Sequence, residues 1–201
     1  MSSEDASMVL SAKAPTLAGW LLRDLLLVLV FVLLCSLTWF LQQAFHNDVT
    51  AAFAAVTGFV CAYATCYMVH EWGHYLGARL AGRVMPLCAY NSALLGRFEI
   101  EKYSLRQYLA LSWGGVLGYT LVAGLALLLW QYLPGLPGSA IALGGVAFVL
   151  QSWSVDLPII FRVTAGADMV STASAGTSPG LIVRKTLVVW SGLAVLVFLM
   201  G

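Results

Sequence analysis

The stretch AAFAAVTGFVCAYATCYMVHEWGHYLGARLA, residues 51 to 81, decides how the chain is read. From Ala51 to Val69 it carries no charged residue, and then His70, Glu71, His74 and Arg79 follow in quick succession. A helix that crosses a hydrocarbon layer roughly 30 Å thick needs about 20 predominantly apolar residues. The segment therefore predicts a membrane-spanning helix that carries ionisable groups toward its end.

Working outward, four more apolar runs are long enough to span: Leu25 to Phe45, Tyr108 to Leu133, Ser139 to Phe161, and Leu181 to Met200. They are separated by a His46-Asn47-Asp48 turn, a polar stretch from Arg83 to Arg106, a turn beginning at Pro134, and a Gly/Ser/Thr-rich piece from Thr164 to Gly180. Hydrophobic residues make up 61% of the chain and charged residues 9%, against about 25% charged in ordinary soluble domains. Such a sequence cannot hide its apolar surface in a soluble core. The predicted fold class is all-α, a polytopic membrane helix bundle of about five transmembrane helices. Residues 1–19 are polar and rich in small side chains, which predicts a disordered cytoplasmic tail ahead of a transmembrane domain over 20–201. The first apolar run is too long for a signal-peptide core and reads as a retained anchor.

The charge pattern excludes one class and orients the chain. Net charge is +1 and the basic residues are scattered, which is not the footprint of a nucleic-acid binder. Lys and Arg near span ends stay on the cytoplasmic side. With five spans, Lys13 and Arg23, then Arg79 to Arg106, then Arg162, Arg184 and Lys185 all fall on one side, and the other two connections carry none. This predicts a multi-pass protein of the cell (inner) membrane with a cytoplasmic N-terminus. Cys35, Cys61, Cys66 and Cys88 lie mostly in apolar runs and do not form a disulfide framework, and Cys61 and Cys66 lack zinc-ribbon spacing.

His70-Glu71-Trp72-Gly73-His74 is an H-E-x-x-H pattern. Histidines four apart on a helix project from one face, so two imidazole nitrogens can meet one tetrahedral Zn²⁺ while Glu71 reaches the water beside it. The competing explanation is polar glue, with the three side chains hydrogen-bonded across a helix bundle. Three ionisable groups at metal-ligand spacing inside a membrane segment are costly, and a bound cation accounts for that cost better than packing does.

Residues 70–82, HEWGHYLGARLAG, resemble the site-2 protease family of intramembrane zinc metalloproteases, whose pattern is H-E-x-G-H followed by A-R and a glycine. The stretch from Ala110 to Gly118 resembles that family's A-x-A-G-P-like block, with Gly114-Gly115 where Gly-Pro is usual. The likeness covers residues from about 50 to 170 and implies a third zinc ligand, an Asp from a later N-x-x-P and L-D-G block. Two carboxylates compete for that place. Asp168, in Gly166-Ala-Asp168, follows Pro158 as the resemblance asks, although the last glycine is missing; Asp156 precedes Pro158, and no Asn stands at the expected position. Depth favours Asp156, because at 1.5 Å per residue it and His70 lie similarly far along spans that run the same way. Asp168 matches that depth only if the chain breaks at Pro158 and bends back. The resemblance favours Asp168 as the third ligand, with Asp156 the alternate that depth supports.

The resemblance implies zinc-dependent hydrolysis of peptide bonds in membrane-spanning protein substrates, with Glu71 as general base, His70, His74 and an Asp as metal ligands, and regulation left to membrane partner subunits. The alternative from a different class is a non-catalytic membrane scaffold or transporter subunit with a metal-binding or vestigial H-E-x-x-H. The segment Asn91 to Lys102, in which Phe98, Glu99, Ile100 and Glu101 alternate, reads as a loop, with a short hairpin at the membrane surface lining a substrate path as the alternative.

The basic asymmetry generates a topological expectation. A reporter active only outside the cytoplasm should give signal when fused after Gly201 and none when inserted near Lys102; the opposite pattern contradicts the five-span orientation.

Overall fold

The structure, a computed structural model, describes residues 14–132 and 135–200. It contains six α-helices: α1 (Leu17–Phe45), α2 (Asp48–Leu80), α3 (Leu105–Trp130), α4 (Leu136–Thr164), α5 (Met169–Gly176) and α6 (Pro179–Met200), with a 3₁₀ turn at Ile100–Lys102. The all-α class predicted from the sequence is what is observed. Helices α1 to α4 are long and apolar enough to cross a membrane. The fifth predicted segment is helical as well, as α6.

The helix ends follow from local chemistry. α1 begins at Leu17 instead of Leu25 because Thr16 caps it, its Oγ1 accepting the Gly19 N–H at 3.1 Å. Residues 17–19 of the predicted tail are therefore helical, while 1–13 lie outside the described residues, as does Pro134. Asn47 caps α2 in the same way, and His46 closes α1 in the left-handed conformation at φ 47°, so the predicted turn takes only two residues between helices. Ser104 and Gln107 form a reciprocal capping box that starts α3. Within the Gly/Ser/Thr-rich piece read as a loop, Asp168 caps the short α5, which sequence patterning did not show.

Residues 83–104 form an irregular loop folded like a hairpin. Its limbs are joined by Cys88 N–H to Leu95 O at 3.0 Å, by Arg97 N–H to Pro86 O at 2.8 Å, and by one isolated bridge between Leu87 and Gly96. The pairing lies ahead of the alternating Phe98–Glu101, which instead leads into the 3₁₀ turn.

α2 is the centre of the bundle, with α3 and α4 packed on it and α1 laid along it. Without water there is no hydrophobic drive between membrane helices, so close association depends on small residues that let backbones touch. A Cβ at Gly73 would run into the Gly114 carbonyl, one at Gly114 into the Gly73 carbonyl, and one at Gly77 into the Ala110 carbonyl. Gly144 on α4 meets the Phe59 backbone of α2 in the same manner.

The chain break at Pro158 that would bring Asp168 to the depth of His70 does not occur. Pro158 lies inside α4, which continues to Thr164 before turning at Ala165 and Gly166. Proline has no N–H to give the carbonyl four residues earlier, and here the Lys185 ammonium of α6 donates to that Ser154 carbonyl instead. The helix therefore runs on, and Asp168 is carried past the end of α4 and not folded back toward α2.

Two buried apolar clusters result. One gathers Trp20, Tyr75, Tyr108, Leu111, Val155 and Val163, and the other Cys66, Val116, Tyr119, Phe148 and Ile160. A cavity of about 610 Å³ separates them, with walls from both.

The α2–α3 crossing is expected to be intolerant of one methyl group. Gly73→Ala should lower stability by ~1–3 kcal/mol through overpacking. Gly124→Ala, where a Cβ meets nothing, should be neutral or stabilising by up to ~1 kcal/mol. Thermal unfolding of the detergent-solubilised protein compares the two.

Candidate metal centre

His70 and His74 lie one turn apart on α2, and their Nε2 atoms face each other at 3.1 Å. Two nitrogens bound to one tetrahedral zinc at 2.0–2.1 Å stand about 3.3 Å apart, so the pair is already close to ligand spacing. The rings meet nearly edge to face, with centroids 4.2 Å apart and planes at 70°.

The orientation of His74 follows from the glycine crossing. Its Nδ1 is 2.9 Å from the carbonyl of Leu111 on α3. A carbonyl can only accept, so Nδ1 carries the proton, and in the neutral ring Nε2 presents its lone pair to the cavity. This is the outer-shell contact that metal-binding histidines typically make. The ring fits because Gly115 has no side chain; a Cβ there would strike Cε1, Nδ1 and Nε2 of the imidazole. His70 packs on Tyr119 and Phe148, with centroids 5.2 and 5.8 Å away. Its Nδ1 is buried without a hydrogen-bond partner. With no cation, His70 Nε2 must donate to His74, which leaves His70 Nδ1 a bare, buried nitrogen. The donor set and the spacing thus fit a divalent metal with nitrogen affinity.

Glu71 is buried, and one of its oxygens accepts the Leu95 N–H from the hairpin-shaped loop at 3.1 Å. Glu71, His70 and His74 all line the cavity, together with Tyr67 of α2, Phe98 and Ile100 of the loop, Tyr108 and Ser112 of α3, and Gln151 and Asp156 of α4. Ala173 of α5, Thr177, and Ile182 of α6 close the remaining side. The loop thus borders the cavity, though through Leu94, Phe98 and Ile100 and not as a strand.

The two candidate aspartates separate cleanly. Asp168 is exposed, caps α5 by accepting the Ser171 N–H at 2.8 Å, and does not border the cavity. That amide holds its carboxyl below the usual carboxylate range. α4 carries Asp168, the ligand the resemblance favours, past the cavity that the histidines line, because the helix does not break at Pro158. Asp156 lines the cavity with the histidines, 3.5 Å from the Tyr119 hydroxyl. Counted from the C-terminal helix ends at 1.5 Å per residue, His70 lies about 15 Å and Asp156 about 12 Å in, similar depths as the sequence suggests. Among the described residues no three His, Cys, Asp or Glu side chains are gathered closely enough to hold a metal ion as they stand. Asp156 is the carboxylate across the cavity from the pair.

Several contributors escaped the sequence. Leu111 and Leu95 act through backbone groups, which leave no side-chain signature. Tyr119 looked like any core aromatic. Asp24, a buried carboxylate near the start of α1, stands just before the apolar run at Leu25 and reads as an ordinary span-end charge. Compared with family models, curated proteins and solved structures, the chain matches none.

The Gly115–His74 contact makes a spectroscopic expectation, tractable because the chain has only 3 histidines. In protein labelled with ¹⁵N at histidine, wild type should show one ring locked as the Nδ1–H tautomer. Gly115→Ala should convert that signal to a tautomer mixture and cost ~1–3 kcal/mol of stability.

Proposed function

We propose that this chain is an intramembrane zinc metalloprotease that hydrolyses peptide bonds of membrane-embedded protein substrates, as the resemblance of residues 70–82 implies. The observation that carries this reading is the convergence of His70 and His74 Nε2 at 3.1 Å on a helix apolar enough to span, where Glu71 lines the same cavity. A carboxylate between the two histidines is what hydrolysis requires and metal storage does not.

His70 and His74 would hold Zn²⁺, and Asp156 is the third ligand the cavity offers. Zinc, when bound there, supplies Lewis-acid chemistry, polarising a carbonyl and bringing water's pKa to roughly 7. The remaining steps belong to the chain's own groups. Glu71 takes the attacking water's proton and returns it to the leaving amide nitrogen. The Leu95 N–H occupies one Glu71 oxygen and leaves the other for that proton. The Leu111 carbonyl keeps His74 in the tautomer with its lone pair toward the cavity. Helices α2, α3 and α4 wall off the lipid, which water at this depth requires. A substrate helix must unwind locally, because its amides are engaged in helical hydrogen bonds.

The basic residues at the ends of α2 and α4 near the site, Arg79, Arg83 and Arg162, support an orientation in which the cavity lies toward the cytoplasm of a multi-pass inner-membrane protein.

Zinc content and cleavage of a membrane-spanning peptide test this together. Wild type should hold zinc and cleave, and a chelator should stop it. His70→Ala should lose the metal, Asp156→Ala should weaken it by ~100-fold or more, and Asp168→Ala should leave it in place. Glu71→Gln should stay folded and metal-loaded yet lose ~10²–10⁴-fold in rate. Equal cleavage by wild type and Glu71→Gln, or zinc held with no cleavage by either, replaces the protease with a metal-binding scaffold.

A further inference from the structure

Helix α1 is the least buried of the long helices, and its buried residues are Trp20, Asp24 and Thr38. Two of those belong to a polar hub that membrane packing does not require. The Asp24 carboxylate is used on both oxygens: Oδ1 pairs with the Arg23 guanidinium at 2.6 Å, and Oδ2 accepts the Trp72 indole N–H at 2.7 Å. Trp72 is the residue next to Glu71. Arg23 in turn forks outward, its Nη1 donating to the carbonyls of Tyr90 at 3.1 Å and Ser92 at 3.0 Å. The guanidinium lies 3.6 Å above the Trp20 ring, and the Trp20 N–H donates to the Cys88 carbonyl at 3.0 Å.

One limb and the tip of the hairpin-shaped loop are thus gripped by α1. The other limb is gripped by α2, through Tyr67 O–H to the Ala93 carbonyl at 3.2 Å and through Leu95 N–H to Glu71. The limbs are cross-linked by the Cys88–Leu95 and Arg97–Pro86 hydrogen bonds, so the tip cannot shift without moving Leu95. We infer that Arg23 and Asp24 are positioning residues for Glu71, acting through residues 86–97 and through Trp72. The inference rests on Glu71 being the base proposed above. Charged residues near a span end are ordinarily left to the aqueous interface, whereas Asp24 is buried and has both oxygens engaged. A planar guanidinium that reaches two carbonyls and a carboxylate at once is a task a lysine's point charge cannot perform.

Hydrogen exchange at the Leu95 amide, measured on the full purified chain in detergent without metal or substrate, tests this independently of activity. Arg23→Gln and Asp24→Asn should each speed Leu95 exchange by ~10-fold or more while the middle of α2 and α3 keeps its protection. Thr38→Ala, which alters α1 packing away from the hub, should not change Leu95. If Arg23→Gln fails to fold, Arg23→Lys, which keeps the charge beside Asp24, carries the same expectation. Unchanged Leu95 protection in the hub variants, or an equal change in Thr38→Ala, reduces the hub to a helix anchor and overturns the inference. With a cleavable peptide, the hub variants should lose about 10- to 100-fold in kcat with KM within ~2-fold of wild type. Loss confined to KM also overturns it. Faster Leu95 exchange in a protein whose wild type never cleaves supports the positioning of Glu71 and counts against the protease reading instead.

Discussion

The backbone contact between α2 and α3 is the constraint on which the site depends. Gly73 and Gly114 each fill the space a side chain would take on the other, and Gly77 does the same against Ala110. That closeness brings the Leu111 carbonyl within 2.9 Å of His74 Nδ1, and the bare Gly115 leaves room for the ring. A larger residue at the crossing would separate the helices, and the imidazole would lose both its partner and its fixed tautomer. Packing and chemistry are therefore the same interaction seen from two sides.

Polar groups at membrane depth are tolerated only where protein satisfies them. His74 has Leu111, Glu71 has Leu95, and Asp24 has Arg23 and Trp72. The carbonyl freed by Pro158 has Lys185. Against this pattern the partnerless Nδ1 of His70 stands out, and it sits in the ring whose other nitrogen meets His74. A cation between the two Nε2 atoms would replace the hydrogen bond they now share.

The loop between α2 and α3 links α1 to the buried carboxylate of Glu71. It is irregular, yet both limbs are held by side chains from α1 and α2, and its Leu94, Phe98 and Ile100 form part of the cavity wall. Those three apolar residues line the cavity while the amide of Leu95 engages Glu71.

Composition and apolar run lengths alone determined the all-helical class and placed the long helices within a few residues, because the length a membrane demands is written directly in hydropathy. The spacing of His70, Glu71 and His74 determined that they share one face, since a helix of 3.6 residues per turn leaves no other arrangement. The start of α1 was misplaced because Thr16 acts by capping and not by hydropathy, and α5 was missed because eight small, polar residues carry no apolar period. Only the tertiary structure separated Asp156 from Asp168. Proline usually ends a helix, so the sequence left open a fold-back at Pro158 that would have brought Asp168 to the histidines. In the structure α4 continues past the proline, and a distant lysine on α6, which packs beside α4, reaches the freed Ser154 carbonyl. Contacts between residues far apart in the chain have no local spacing to read, and the backbone groups of Leu95 and Leu111 that complete the site have no side-chain identity at all.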